Sequence, residues 1–183
     1  IIFSPIFLVL IIIFSALVLL FDGTPIFYTQ DRVGIKGRQF KIFKFRTMKK
    51  IELTPEQIEE LNEKSKVVFK SKKDPRITKF GSFLRKSSID ELPQIINILK
   101  NEMSFIGPRP PIPEEVLKYE IKHLKRVSVK PGITGLWQVT LRQDNDFDKW
   151  VEKDIEYIDN WSIFLDIKIA LKTFKEIINL SGD

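Results

Sequence analysis

The chain has 183 residues, a formal net charge of +6, a pI near 9.4, no cysteine and a single histidine. That composition excludes a disulfide framework and a thiolate metal site and argues against a multi-histidine zinc centre or a conventional Ser-His-Asp triad, so any metal is a hard cation held by carboxylates and phosphate oxygens. The positive balance favours anionic partners, and since nothing matches a zinc finger, an RNA-binding sheet motif or a basic zipper, nucleic acid is not expected among them.

The first 21 residues, Ile1 to Phe21, carry no charge and are long enough to span a hydrocarbon core as a helix. They lack the basic start and small-residue cleavage site of a secretory signal. The chain opens inside this run without an initiator methionine, so the segment is expected to continue upstream. Ser4-Pro5 would then interrupt backbone hydrogen bonding and let the segment bend and re-emerge on the side it entered. Basic residues crowd the next stretch (Arg32, Lys36, Arg38, Lys41, Lys44, Arg46, Lys49, Lys50), which favours a cytoplasmic face for the domain downstream. The expected organisation is a membrane-associated segment at 1–22 and one domain at 23–183, the latter long enough for a proper core.

Within that domain, PIFYTQ and RQFKIFKFR read as two short strands joined across Gly34 to Gly37. Thr54-Pro55-Glu56-Gln57 has the form of a capping box with proline at the first helical position, opening a short acidic helix. Lys70 to Arg76 reads as a polar loop, and Ile77, Phe80 and Leu84 recur at helical spacing toward Arg85. Further helices are expected at about Asp90–Lys100, Glu114–Arg126, Asp146–Tyr157 and Trp161–Leu180, with VKPGITGLWQV as a glycine-punctuated loop or strand. In the last helix Lys168, Lys172 and Lys175 share one narrow face and apolar residues cover most of the rest. Two readings fit: a helix in a membrane interface with its lysines toward headgroups, or a core helix with a solvated lysine stripe.

Some polar residues stand where apolar ones are expected. Phe147, Trp150, Val151, Asp154, Ile155 and Ile158 form one helical stripe in which only Asp154 is charged. Asp166 lies opposite the three lysines of its helix. A buried carboxylate needs a cation or metal, so either these two line a site, with magnesium, Arg109 or Arg142 as partners, or each pairs with a structural arginine or lysine. Asp90-Glu91 precedes Pro93, which suits a first helical turn, so the pair is either an N-cap with a first-turn acid or chemistry. Arg85 upstream and Arg109 downstream could each hold phosphate bidentately, and the prolines of Gly107-Pro108-Arg109-Pro110-Pro111 fix the backbone around Arg109. His123 is expected at the surface, without a role.

The run S-x-DELPQ-x-x-N-x-L-K-x-x-MSF-x-GPRP followed by KPGITGLWQV resembles the bacterial sugar transferases, the monotopic phosphoglycosyl transferases that begin glycan assembly on polyprenol phosphate. FKIFKFRTM (Phe40 to Met48) and Ser4-Pro5 match as well, and the resemblance covers nearly the whole chain. It implies an α/β fold, mostly helical with a small irregular sheet. A re-entrant membrane helix and interfacial amphipathic helices would hold the domain on the cytoplasmic face of the inner membrane. The implied reaction moves a sugar-1-phosphate from a UDP-sugar to undecaprenyl phosphate and releases UMP. Asp90 would be the nucleophile that carries a covalent phosphosugar, with Glu91 its acidic partner and both near Mg2+. Arg85, Arg109, Lys44 and Arg46 would surround phosphate, with Pro108, Gln138, Arg142, Asp154 and Asp166 in support. Membrane lipid is an implied partner, and the resemblance leaves room for homo-oligomers and for downstream glycosyltransferases. The competing reading is a non-catalytic membrane-surface adaptor that binds anionic lipid. It has no use for paired acids or for aspartates on apolar faces.

Overall fold

The structure is a computed structural model that describes residues 4–54, 56–57, 74–141, 144 and 146–179. The apolar N-terminal run forms helix α1 (Ser4–Asp22). Phe7, Ile11, Phe14 and Val18 follow one another at spacings of three and four, and this stripe packs on Phe45, Leu84 and Ile95. The opposite side, including Ile6, Val9, Ile12, Ile13 and Leu20, is exposed. Among the described residues, no helix is long and apolar enough to cross a membrane. Ser4-Pro5 stands at the start of α1, with the residues before it outside the described set.

Polar contacts fasten the end of α1. Gly23, at φ +75, closes it with its N–H toward the carbonyls of Val18 and Leu19. Arg46 donates to the carbonyls of Asp22, Gly23 (2.9 Å) and Pro25 (2.6 Å). The Thr78 hydroxyl donates to Asp22 Oδ2 at 2.8 Å while accepting from the Gly81 N–H as an N-cap.

Strands β1 (Phe27–Val33) and β2 (Gln39–Phe45) make the expected antiparallel hairpin, with Tyr28 opposite Lys44 and a tight turn at Ile35–Gly37. The capping box is present too: Gln57 N–H donates to Thr54 Oγ1 and Thr54 N–H to Gln57 Oε1. The rest of the acidic helix lies outside the described residues. Helix α2 (Lys79–Lys86) crosses the chain just after β2 so closely that a Cβ on Gly81 would sit 2.2 Å from the Thr47 carbonyl oxygen.

The single helix expected from Asp90 to Lys100 is two pieces, a 3-10 segment Ile89–Gln94 containing Pro93 and then α3 (Ile95–Leu99). Pro93 offers no N–H to a regular α-helical ladder, so the tighter segment carries the acidic pair. The helix expected over Glu114–Arg126 is likewise divided. Helix α4 (Pro113–Val116) stops early, and Glu120 caps a new 3-10 segment, Ile121–Val127, with His123 as its reciprocal partner. His123 is therefore buried rather than at the surface, edge-on to Tyr119 and Phe147.

Strand β3 (Ser104–Ile106) pairs in parallel with β4 (Gly132–Thr134), the glycine-punctuated stretch. Helices α5 (Phe147–Asp159) and α6 (Ile163–Ile178) start from Asp146 and Ser162, whose side chains accept first-turn N–H groups. They pack on the β3–β4 ladder through Leu136, Tyr157 and Ile169. Around its axis α6 has three stripes rather than two: buried Ile169 with Asp166 and Thr173, the exposed lysines, and exposed Ile163, Ile167, Leu171, Phe174 and Ile178. The helix thus has a buried face and a solvated lysine stripe, as the core-helix reading expects, with an exposed apolar stripe beside them.

The Gly81 contact yields a first prediction. Gly81→Ala forces α2 away from backbone that cannot yield, and should cost about 1–3 kcal/mol in denaturant unfolding. Activity should fall as well, because Arg85 sits one turn further along the same helix.

Candidate active site

Lys44 near the end of β2 and Glu91 in the 3-10 segment form an ion pair at 2.6 Å, each side chain about a quarter exposed. Asp90 beside them is buried. It is not an N-cap: the cap position is Ser88, whose backbone is left-handed (φ +55) and whose side chain makes no capping bond. A non-glycine residue in that region is costly and is most often found where function requires it. Helix α2 delivers Arg85, whose Nε donates to Thr47 Oγ1 at 3.1 Å and whose Nη2 approaches Met48 Sδ at 3.6 Å. Burial, and to a lesser extent Glu91, raises the Asp90 carboxyl to about 6 against the opposing pull of Lys44 and Arg85. Asp90, Glu91, Lys44 and Arg85 are thus one electrostatic group.

Arg109 belongs to a neighbouring group. Backbone meets backbone here, since a Cβ on Gly132 would lie 2.1 Å from the Gly107 nitrogen and one on Gly135 2.4 Å from the Gly107 oxygen. Pro108 is fully buried in this crossing and its carbonyl accepts from the Gly132 N–H. Gln138 donates at 3.5 Å to the Ile133 carbonyl, and its buried Oε1 has no hydrogen-bond partner among the described residues. Arg109, with 31% of its side chain exposed, stands 3.6 Å from the buried carboxylate of Glu115. Arg32 reaches the same loop from β1, donating to the Pro110 carbonyl at 2.9 Å and to Gln30 Oε1 at 2.7 Å. Burial and the nearby Arg109 lower Arg32 to about 10, while Glu115 and Glu91 oppose that shift. Arg32 therefore lies within electrostatic reach of both groups. In sequence it was one basic residue in a strand; burial and the contact with residue 110 distinguish it.

The remaining candidates have other surroundings. Arg46 is turned to the end of α1, where its Nε and Nη2 donate to the three carbonyls there. Asp154 pairs with Arg126 at 2.8 Å, both fully inside, rather than with Arg109 or a metal-holding group. Burial raises Asp154 to about 6 against the pull of Arg126 and, more weakly, Arg109. Arg126 also donates to Tyr119 Oη at 2.6 Å and lies over the rings of Tyr119 and Phe147. Asp166 accepts from Tyr157 Oη at 2.9 Å and Trp161 Nε1 at 3.3 Å, neutral donors that tie α5 to α6. Arg142 lies outside the described residues.

No group of three or more potential metal-ligating side chains occurs among the described residues. A hard divalent cation does not require one: magnesium is commonly bound by one or two carboxylates, its other positions filled by water and substrate phosphate. Adjacent Asp90 and Glu91, with Glu91 still a quarter exposed, suit that habit.

The sequence matches the bacterial sugar transferase family over residues 1–180. It is 48% identical over 166 residues to the galactosyl transferase CpsE of Streptococcus agalactiae, covering 88% of this chain and 36% of that protein. It is 42% identical over 168 residues to the undecaprenyl-phosphate galactose phosphotransferase of Salmonella typhimurium, covering 88% and 35%. Identity to the exopolysaccharide production protein ExoY of Rhizobium meliloti is 40% over 182 residues, covering 96% and 78%. The chain belongs to the bacterial sugar transferase family. It spans little more than a third of two of these relatives and over three-quarters of the third.

The state of Asp90 makes a second prediction. Its carboxyl is near 6 when folded and near 3.8 when not, so the folded chain holds this proton more tightly and pays for the charge above pH 6. In metal-free buffer, Asp90→Asn should therefore be more stable than the parent at pH 7–8, by at most about 3 kcal/mol. The gain should fade as pH drops through 6 and vanish below about 4, as read from paired melting curves.

Proposed function

We propose that this chain transfers a sugar-1-phosphate from a UDP-sugar to undecaprenyl phosphate on the cytoplasmic face of the inner membrane. The observation that carries the reading is a buried carboxylate, Asp90, beside the Lys44–Glu91 pair and Arg85. The relatives' names supply the lipid acceptor, one of them being an undecaprenyl-phosphate galactose phosphotransferase.

Asp90 attacks the β-phosphorus of the UDP-sugar. The bond to the bridging oxygen breaks, UMP leaves with that oxygen, and an acyl phosphate to the sugar forms on the aspartate. An oxygen of undecaprenyl phosphate then attacks the same phosphorus, displacing the carboxylate and giving the lipid diphosphate sugar. Two steps through a covalent intermediate avoid bringing two anionic substrates together at once. Partial burial favours this chemistry, since a poorly solvated carboxylate is the better nucleophile, and at neutral pH a group near 6 is still mostly ionised. Lys44, Arg85 and Arg109 offset charge on the phosphoryl oxygens, the arginines with their planar forks. Magnesium held by Asp90 and Glu91 would polarise those oxygens when bound.

Full-length protein given UDP-sugar and Mg2+ without lipid should release UMP in an amount equal to the enzyme, and Asp90→Asn should release none. Turnover in that variant should fall by several orders of magnitude. A first UMP that strictly requires lipid phosphate would replace this scheme with direct transfer, and near-parent activity in Asp90→Asn would end it.

The exposed apolar sides of α1 and α6, the latter flanked by Lys168, Lys172 and Lys175, support attachment to an anionic lipid surface. The Ser4-Pro5 bend would return the upstream segment to the cytoplasmic side. Single cysteines, introduced after any native cysteine outside residues 1–183 has been replaced, report topology cleanly. Cysteines at the N-terminus of the full-length protein and at Lys50 should both resist an impermeant maleimide in intact cells and both react in inverted vesicles. Labelling of the N-terminal cysteine from outside would show a spanning segment instead.

A further inference from the structure

Glu115 is a buried carboxylate, its side chain 3% exposed, with Arg109 at 3.6 Å and its charge felt by Arg32 and Arg126 as well. A carboxylate in such a place is tolerated only with compensating cations. Two of the three guanidiniums are committed elsewhere. Arg126 is bound to Asp154 and Tyr119, and Arg32 to the Pro110 carbonyl and Gln30. Arg109 alone of the three reaches solvent, and at 3.6 Å its contact with Glu115 is a charge pairing rather than a close hydrogen bond. Among the described residues its N–H groups have no closer partner, which leaves them for an outside oxyanion while Glu115 holds the guanidinium from behind.

The backbone sets that geometry. Pro113 starts the short α4, and the Glu115 N–H closes onto the Ile112 carbonyl. Val33 N–H donates to the Pro111 carbonyl at 2.9 Å, so β1 grips the same loop on the far side of Arg109. Arg32 is lowered first by burial and then by the like charge of Arg109, and Glu115 is the negative charge near both guanidiniums.

We propose that Glu115 is a positioning residue that presents Arg109 to the diphosphate of the sugar nucleotide, holding it against the repulsion of Arg32. This rests on the reading of the site as one for a UDP-sugar. Without the carboxylate, Arg109 swings toward solvent and the anion loses an oriented fork rather than gaining a freer cation.

The test uses full-length protein in detergent, with UDP and Mg2+ as the probe, because UDP is common to all UDP-sugars. Dissociation constants and melting temperatures are measured for Arg109→Ala, Glu115→Gln and the double variant. Each single change should weaken UDP by about tenfold or more, with the double variant no weaker than the worse single, because both act through one guanidinium. If Arg109→Ala weakens UDP while Glu115→Gln stays within about twofold of the parent, or if the two losses multiply, the role of Glu115 is refuted and the site reading stands. If neither change matters, Arg109 is no phosphate ligand and both fall. Should Glu115→Gln not fold, Glu115→Asp, which retracts the charge by one methylene, decides. Weaker UDP at an unchanged melting temperature supports the proposal, and parent-like binding overturns it.

Discussion

Asn97, fully buried, holds the acidic turn to the strand that faces it. Its amide donates to the Lys41 carbonyl at 2.8 Å and to Glu102 Oε2 at 2.7 Å, and its oxygen accepts from the Phe43 N–H at 3.2 Å. The side chain pairs with the free edge of β2 as one residue of a neighbouring strand would, satisfying the Lys41 carbonyl and the Phe43 N–H where the helical piece docks. Lys44 is one residue beyond that contact on β2, and Glu91 is six residues before Asn97. The Lys44–Glu91 pair and the burial of Asp90 both depend on this docking.

Charge is handled differently in the two neighbouring groups. Around Asp90, neutralisation is incomplete: burial outweighs the pull of Lys44 and Arg85, so the carboxylate is held at a cost to folding. Around Arg126, burial raises Asp154 to about 6 as well, but its Oδ2 has a fitted partner in Arg126 Nε at 2.8 Å, and this network with Tyr119 and the surrounding rings reads as support. Glu115 and Arg109 stand between these regimes, one buried and the other partly open.

The apolar surface bears on where such a site works. α1 commits one stripe to the core with Phe45 and Leu84 and leaves the other bare, while α6 leaves a bare stripe beside three lysines. Helices that pack only for folding seldom keep so much apolar side chain exposed. Arg46 and Thr78 bind the end of α1 to β2 and α2, so any lipid surface that takes up α1 also fixes the orientation of the neighbouring site.

Local patterns in the chain were enough for the hairpin, the Thr54–Gln57 capping box, the starts of α5 and α6 and the acidic pair beside Pro93, because each depends on neighbours a few residues apart. The family could also be read from DELPQ and GPRP, since their chemistry is contiguous. Tertiary structure alone decided which charges meet. Asp154 was open in sequence between a site with magnesium, Arg109 or Arg142 and a pairing with a structural arginine or lysine, and it took the second course with Arg126, because α5 packs beside the 3-10 segment that Glu120 caps. Arg46 was one more basic residue in a matching motif until the end of α1 arrived to claim its donors. His123 went inside because Tyr119 and Phe147 closed over it. Arg32 and Glu115 carried no local signal, and their meaning lies in contacts with residues far away in the chain. Periodicity reports which face of an element is buried, but a charge has no period, and its partner is set only when distant segments pack.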